Sequence, residues 1–188
     1  IELAQDLGVR TIQLAGYDVY YEEKSPQTRQ RFIKNLRKAC DWAEEAQVVL
    51  AIEIMDDPFI NSIEKYLAVE KDVDSPYLFV YPDIGNVSAW HNDVYSEFYL
   101  GHHAVAALHL KDTYAVTESS KGQFRDVTFG QGCVKWEEAF DILKQTNYNG
   151  PFLIEMWSEN CETVEETRAA IQEAQAFLYP LIKKAGLM

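Results

Sequence analysis

The sequence predicts an α/β protein with a parallel sheet covered by helices, organised as five β-α units of a (β/α)8 barrel. Short apolar runs recur five times, each followed by residues at helical spacing, and strands buried on both faces read in this way. Neither a G-x-G-x-x-G fingerprint nor a P-loop follows any run, which weakens the rival architecture, an open doubly wound sheet. Glu53, Asp83, His109 and Glu155 stand at or near the carboxyl ends of four runs, where a barrel carries its functional residues.

The chain opens with "IELAQDLG", which reads as the back of a helix. "VRTIQLAG" (9–16) is a strand ending at a glycine turn. A helix follows from Ser25, a residue type that caps amino ends, with Pro26 in the first turn and Phe32, Leu36, Ala39 and Ala43 on one face. Strand 48–55, a helix near 60–71 and strand 78–82 come next. A helix near 93–100 is expected to close at Gly101, and strand 105–110 to lead into a polar connection, 111–133, with three glycines. A helix at about 135–146 and strand 152–156 precede the final helix, which opens with the capping box Thr163–Glu166 and should kink or end at Pro180. A full barrel needs roughly 250 residues. Three further β-α units are therefore expected upstream, which makes these strands four to eight of a single domain.

The chain has 188 residues and a formal net charge of −13. Such an acidic protein is a poor partner for nucleic acid or an anionic membrane. No apolar stretch reaches the ~18 residues of a membrane-spanning helix, and no signal-peptide pattern is read after Ile1. Cys40, Cys133 and Cys161 are odd in number and far apart, which points to a reducing cytoplasm.

On barrel strand ends, Glu53, Asp83, His109 and Glu155 would converge. Three carboxylates so close repel one another unless a cation neutralises them. Mixed carboxylate and imidazole donors suit Mn²⁺, Zn²⁺ or Co²⁺, and Mg²⁺ with added waters, so one divalent ion is expected. "QFRDVTFGQG" offers an anion site: Arg125 for a bidentate ion pair, with Gly130 and Gly132 whose N–H groups either meet a phosphate or merely serve a turn. Lys111 points to the pocket or to solvent. "AGYDVYYEE" places Tyr17 and two further tyrosines in a strand-end loop, as a pocket wall. Trp90 and Trp157 are expected to shape the cavity. His91, His102 and His103 read as surface residues.

"LAIEIMD", "YPDIGNVSAW", "AALHLKDT", "GQFRDVTFGQGCV" and "FLIEMW" resemble the motifs of the L-ribulose-5-phosphate (L-xylulose-5-phosphate) 3-epimerases. These enzymes belong to the xylose isomerase-like barrel superfamily, and some carry the older name hexulose-6-phosphate isomerase. The resemblance runs from about residue 1 to 188 and implies that Glu53, Asp83, His109 and Glu155 are the metal ligands. It implies epimerisation at C3 of a ketopentose 5-phosphate in L-ascorbate and pentose catabolism, with Glu53 and Glu155 exchanging a proton through a cis-enediolate. Asn86, three residues after Asp83, falls where related ketose epimerases place a substrate-binding side chain; helix capping is its other reading. A homodimer is the expected assembly. The rival readings are a hydride-shift aldose–ketose isomerase, a non-catalytic sugar-phosphate binding module, and an apurinic endonuclease of the same superfamily. The last would need more histidines than four and a basic face.

Overall fold

The computed structural model describes residues 1–188. A short helix α1 (Glu2–Asp6) precedes strand β1 (Thr11–Ala15), helix α2 (Pro26–Ala46), strand β2 (Val49–Glu53), helix α3 (Ile63–Val73) and strand β3 (Leu78–Tyr81). Two consecutive helices follow, α4 (Ile84–Ala89) and α5 (Val94–Gly101), then strand β4 (Leu108–Leu110). A two-stranded ribbon, β5 (Asp112–Tyr114) and β6 (Gln123–Val127), leads to α6 (Trp136–Gln145), β7 (Phe152–Ile154) and α7 (Val164–Ala185).

β1, β2 and β3 pair in parallel, as do β4 and β7. Parallel bridges Val80–Val105 and Asp83–His109 join the two groups, supported by His109 N–H donating to the Pro82 carbonyl at 3.0 Å. The order β1-β2-β3-β4-β7 is therefore five parallel strands side by side, as the sequence predicts. The helices pack in the same succession, α2 on α3, α3 on α5, α5 on α6 and α6 on α7. The main core lies between the two layers: Leu50, Ile52, Leu78, Val80, Leu108 and Leu110 from the strands meet Leu36, Tyr66, Phe98, Phe140 and Leu178 from the helices.

Local chemistry starts the helices where the sequence places them. Ser25 accepts from Thr28 N–H, and Thr28 returns the bond to Ser25 N–H, with Pro26 in the first turn. Thr163 and Glu166 form the same reciprocal box on α7. On α2 the face is set a little round from the predicted one: Ile33, Leu36, Cys40 and Ala43 are the buried residues, while Phe32 and Ala39 pack at its margin.

Two local expectations are corrected. Gly101 does not close α5 by a left-handed turn; its φ is −112° and the chain continues into a 3-10 turn over His102–Ala104. Pro180 does not end α7, because Leu178 and Ile182, buried on either side of it, hold both halves against the core, and Gly186 at φ 75° ends the helix instead. Within the polar connection 111–133 lies the antiparallel ribbon β5–β6, with a register shift between Asp112 and Tyr114. No helix is long and apolar enough to cross a membrane.

Candidate metal centre

Side chains alternate across a strand, so residues two apart share a face. Outward positions such as Leu50, Ile52 and Leu108 fill the core beneath the helices. The opposite face carries Gln13 on β1, Ala51 and Glu53 on β2, Tyr81 and Asp83 on and after β3, Ala107, His109 and Lys111 around β4, and Glu155 just past β7. β2, β3, β4 and β7 thus each bring an acid or an imidazole to the carboxyl end of the inward row.

Glu53, Asp83, His109 and Glu155 each offer a ligand atom, and these atoms all lie within 4.8 Å of one another. Neighbouring strands sit ~4.8 Å apart, so β2 and β7, three steps apart, would be separated by roughly 14 Å in a flat sheet. Only a sheet curled toward its inward face brings Glu53 and Glu155 to one point. His109 Nδ1 is the hub, 2.8 Å from Glu53 Oε1 and 3.1 Å from Glu155 Oε2, with the Tyr81 ring packed edge-on at 4.7 Å.

Asp83 is fully buried and caps α4, its Oδ1 accepting from Asn86 N–H at 2.8 Å. Its Oδ2 lies 3.1 Å from Lys111 Nζ, close enough for attraction, yet neither it nor Glu155 Oε2 has a partner with hydrogen-bond geometry. Buried acceptors without a donor are expensive, and two aimed at one point suit a cation. The donor set, three carboxylates and an imidazole, is compatible with a divalent transition ion or Mg²⁺.

The electrostatics show what the cluster does on its own. Burial pushes the Asp83 carboxyl well above the usual range, and the Glu155 charge adds to this against the pull of Lys111. Glu155 is driven the other way: burial would raise it, but the close approach of His109 and Asp83 and the charge of Lys111 lower it to about 2. For His109, burial favours the neutral ring and is outweighed by Glu155 and Glu53, which raise it to about 9. Lys111 is likewise raised, its burial outweighed by Asp83 and Glu155. At neutral pH the cluster therefore holds His109 and Lys111 as cations beside an ionised Glu155, with Asp83 shifted toward its neutral form.

The other predicted residues divide. Lys111 is inside the cluster. Asn86 is buried beside it, with Nδ2 donating to the Ile54 carbonyl at 2.8 Å and Oδ1 left without a partner. Arg125 is exposed on β6, its guanidinium 4.9 Å over the Trp157 ring, and Lys111 Nζ lies 5.2 Å from the centre of that same ring. A cavity of about 440 Å³ opens beside Lys111 and Glu155, walled by Trp157, Phe129, Met156 and Phe177. Gly130 and Gly132 do not offer free amides. Both donate to Asp112 Oδ2, at 2.8 and 3.1 Å, so the anion in their nest is the chain's own carboxylate. The Tyr17 hydroxyl donates to Asp56, while Tyr21 is 96% exposed. Trp90 packs against Phe124, their rings 5.9 Å apart.

Sequence reading missed Asp112 and Gln13. Asp112 accepts from the backbone N–H groups of Thr113, Gly130, Gly132 and Val134 and from Trp136 Nε1. Gln13 Nε2 donates to Glu53 Oε2 at 2.7 Å; its signal was a lone amide inside the run "TIQLA".

The sequence is 50% identical over 188 residues to SgbU of Haemophilus influenzae, covering all of this chain and 65% of that protein. It is 46% identical to the L-ribulose-5-phosphate 3-epimerase UlaE of Escherichia coli O157:H7, covering 63% of it. The chain thus spans just under two thirds of the length of these relatives. Among solved structures, an L-ribulose 3-epimerase superposes with a TM-score of 0.78 at 19% identity, over 98% of this chain and 65% of the other. The IOLI protein with a bound zinc atom does so with a TM-score of 0.76 at 19% identity, over 98% and 66%. At such identities the structural likeness speaks for the fold. The sequence profile described as "Xylose isomerase-like TIM barrel" matches residues 1–181, and with five parallel strands curled around one polar cluster, the chain belongs to that family.

Proposed function

We propose that the protein is a metal-dependent 3-epimerase acting on a ketopentose 5-phosphate of the L-ribulose/L-xylulose pair. The observation that carries this reading is the convergence of Glu53, Asp83, His109 and Glu155 within 4.8 Å, supported by the printed name of the Escherichia coli relative. The two residues given proton-transfer roles, Glu53 and Glu155, come from β2 and β7 and reach His109 from separate strands. A bound divalent ion supplies the positive charge that stabilises the oxyanion at C2 while the C3 proton is off.

The residues divide the remaining work. Glu53 and Glu155, one on each side of the substrate, take the C3 proton and return one to the other face. Asp83 and His109 act as ligands. Asn86 Oδ1, an acceptor with no partner, meets a sugar hydroxyl. Arg125, held over Trp157, receives the phosphate together with Lys111; Gly130 and Gly132 support the loop through Asp112 instead.

Incubation of the protein with L-xylulose 5-phosphate and Mn²⁺ in deuterium oxide tests the proposal. Deuterium at C3 of an L-ribulose 5-phosphate product supports it. A C1–C2 hydride shift without solvent label would replace it with aldose–ketose isomerisation. Glu53→Gln and Glu155→Gln should each lose turnover by a factor of about 10³ or more while still binding the sugar phosphate, in line with the 10²–10⁴ that positioned proton transfer contributes; retained turnover in both would remove the two-carboxylate assignment.

A further inference from the structure

We propose that Gln13 is the positioning residue of Glu53, fixing the plane of its carboxylate for both metal ligation and proton transfer. The inference rests on the epimerase reading for its catalytic half and on geometry alone for its metal half.

The parallel register pairs Gln13 with Ala51 and Ala15 with Glu53. Gln13 therefore sits one inward position behind Glu53 on the neighbouring strand, and its amide reaches forward to Oε2 at 2.7 Å. The terminal torsion of a glutamate is soft, with a broad twofold profile, so the carboxylate turns freely unless it is bonded. Glu53 has two partners: His109 Nδ1 on Oε1 at 2.8 Å and Gln13 on Oε2. They differ in kind: the role of the His109 ring nitrogen depends on its tautomer, whereas the Gln13 amide nitrogen can only donate, and it holds the oxygen that His109 leaves free.

The amide is also the right kind of donor. A lysine or arginine at position 13 would add a cation beside His109 and Lys111, and a glutamate would add a fourth acid. A neutral N–H orients the carboxylate without adding charge.

Gln13→Met keeps length and volume and removes the donor. Titration calorimetry with Mn²⁺ on the metal-free protein should show affinity falling ~10–100-fold, the usual cost of losing an outer partner of a ligand. At saturating Mn²⁺, kcat should fall by about tenfold or more, with KM for L-xylulose 5-phosphate within about twofold. Because Gln13 is exposed and its one side-chain hydrogen bond is to Glu53, the metal-free variant should melt within about 2 °C of wild type. An Mn²⁺ affinity within threefold of wild type overturns the proposal. So does a fall in affinity matched by a large drop in melting temperature, which would make Gln13 a structural residue. Should wild type itself place no deuterium at C3, the epimerase reading fails while the calorimetric comparison still decides the role of Gln13.

Discussion

Loading the centre with a divalent ion should expel protons. In the metal-free cluster His109 is protonated, raised to about 9 against a burial that opposes it, and burial beside Glu155 raises Asp83 in the same direction. Ligation needs the neutral imidazole, so a cation enters as the His109 proton leaves. For His109 alone, removing the proton at pH 7 costs roughly 2.7 kcal/mol, a hundredfold in affinity. As pH rises from 6.5 to 7.5 Mn²⁺ should therefore bind about tenfold more tightly, one proton's worth. Calorimetry in two buffers of different ionisation enthalpy counts the protons directly, and about one or more should appear per ion at pH 7. Release of less than half a proton, with affinity changing by under threefold across that interval, would show that the cluster is not charged as argued here.

The same pKa shift sets the stability of the metal-free protein. His109 is raised in the fold, so its contribution is complete below pH 6.5 and is lost as pH climbs through about 9; a rise from 6.5 is worth roughly 3 kcal/mol. Asp83, also raised, acts with the same sign, and urea melts at pH 6 and 9.5 should show the loss. Arg125→Met should raise KM for the phosphorylated ketose by about tenfold or more and leave turnover of the unphosphorylated sugar unchanged, as removal of one charge-assisted contact requires. Asp112→Ala should cost on the order of 3–5 kcal/mol, since four backbone N–H groups and Trp136 Nε1 lose their acceptor; a chemical melt within about 1 kcal/mol of wild type would contradict the bonding described.

Much of this was legible because local chemistry and tertiary demand agree. Ser25, Pro26 and the Thr163–Glu166 box mark helix starts through bonds made within four residues, so no distant partner is needed. The four clustered residues were visible because each interrupts or ends an apolar run whose period of two fixes the side-chain direction. Partners chosen at a distance were not. Glycine amides bind any carboxylate or phosphate, and nothing in "FGQG" says that Asp112, 18 residues earlier, fills the nest. Gln13 finds Glu53 across 40 residues only through strand register. The helix α4 is six residues long, its amino end set by Asp83 in a capping role that its reading as a ligand had hidden. Pro180 shows the converse, with packing on both sides outweighing a strong local signal to stop.

Lys111 and Asp112 are consecutive, yet they answer to different masters. The ammonium faces the ligands, while the carboxylate is gripped by a loop that closes over Gly132, where an added Cβ would stand 2.0 Å from Asp112 Oδ1. One peptide unit thus couples the rim of the cleft to its floor. A sequence change in residues 128–134 that slackens this grip would be felt at Lys111 and the two carboxylates it faces, with no residue of the cluster itself altered.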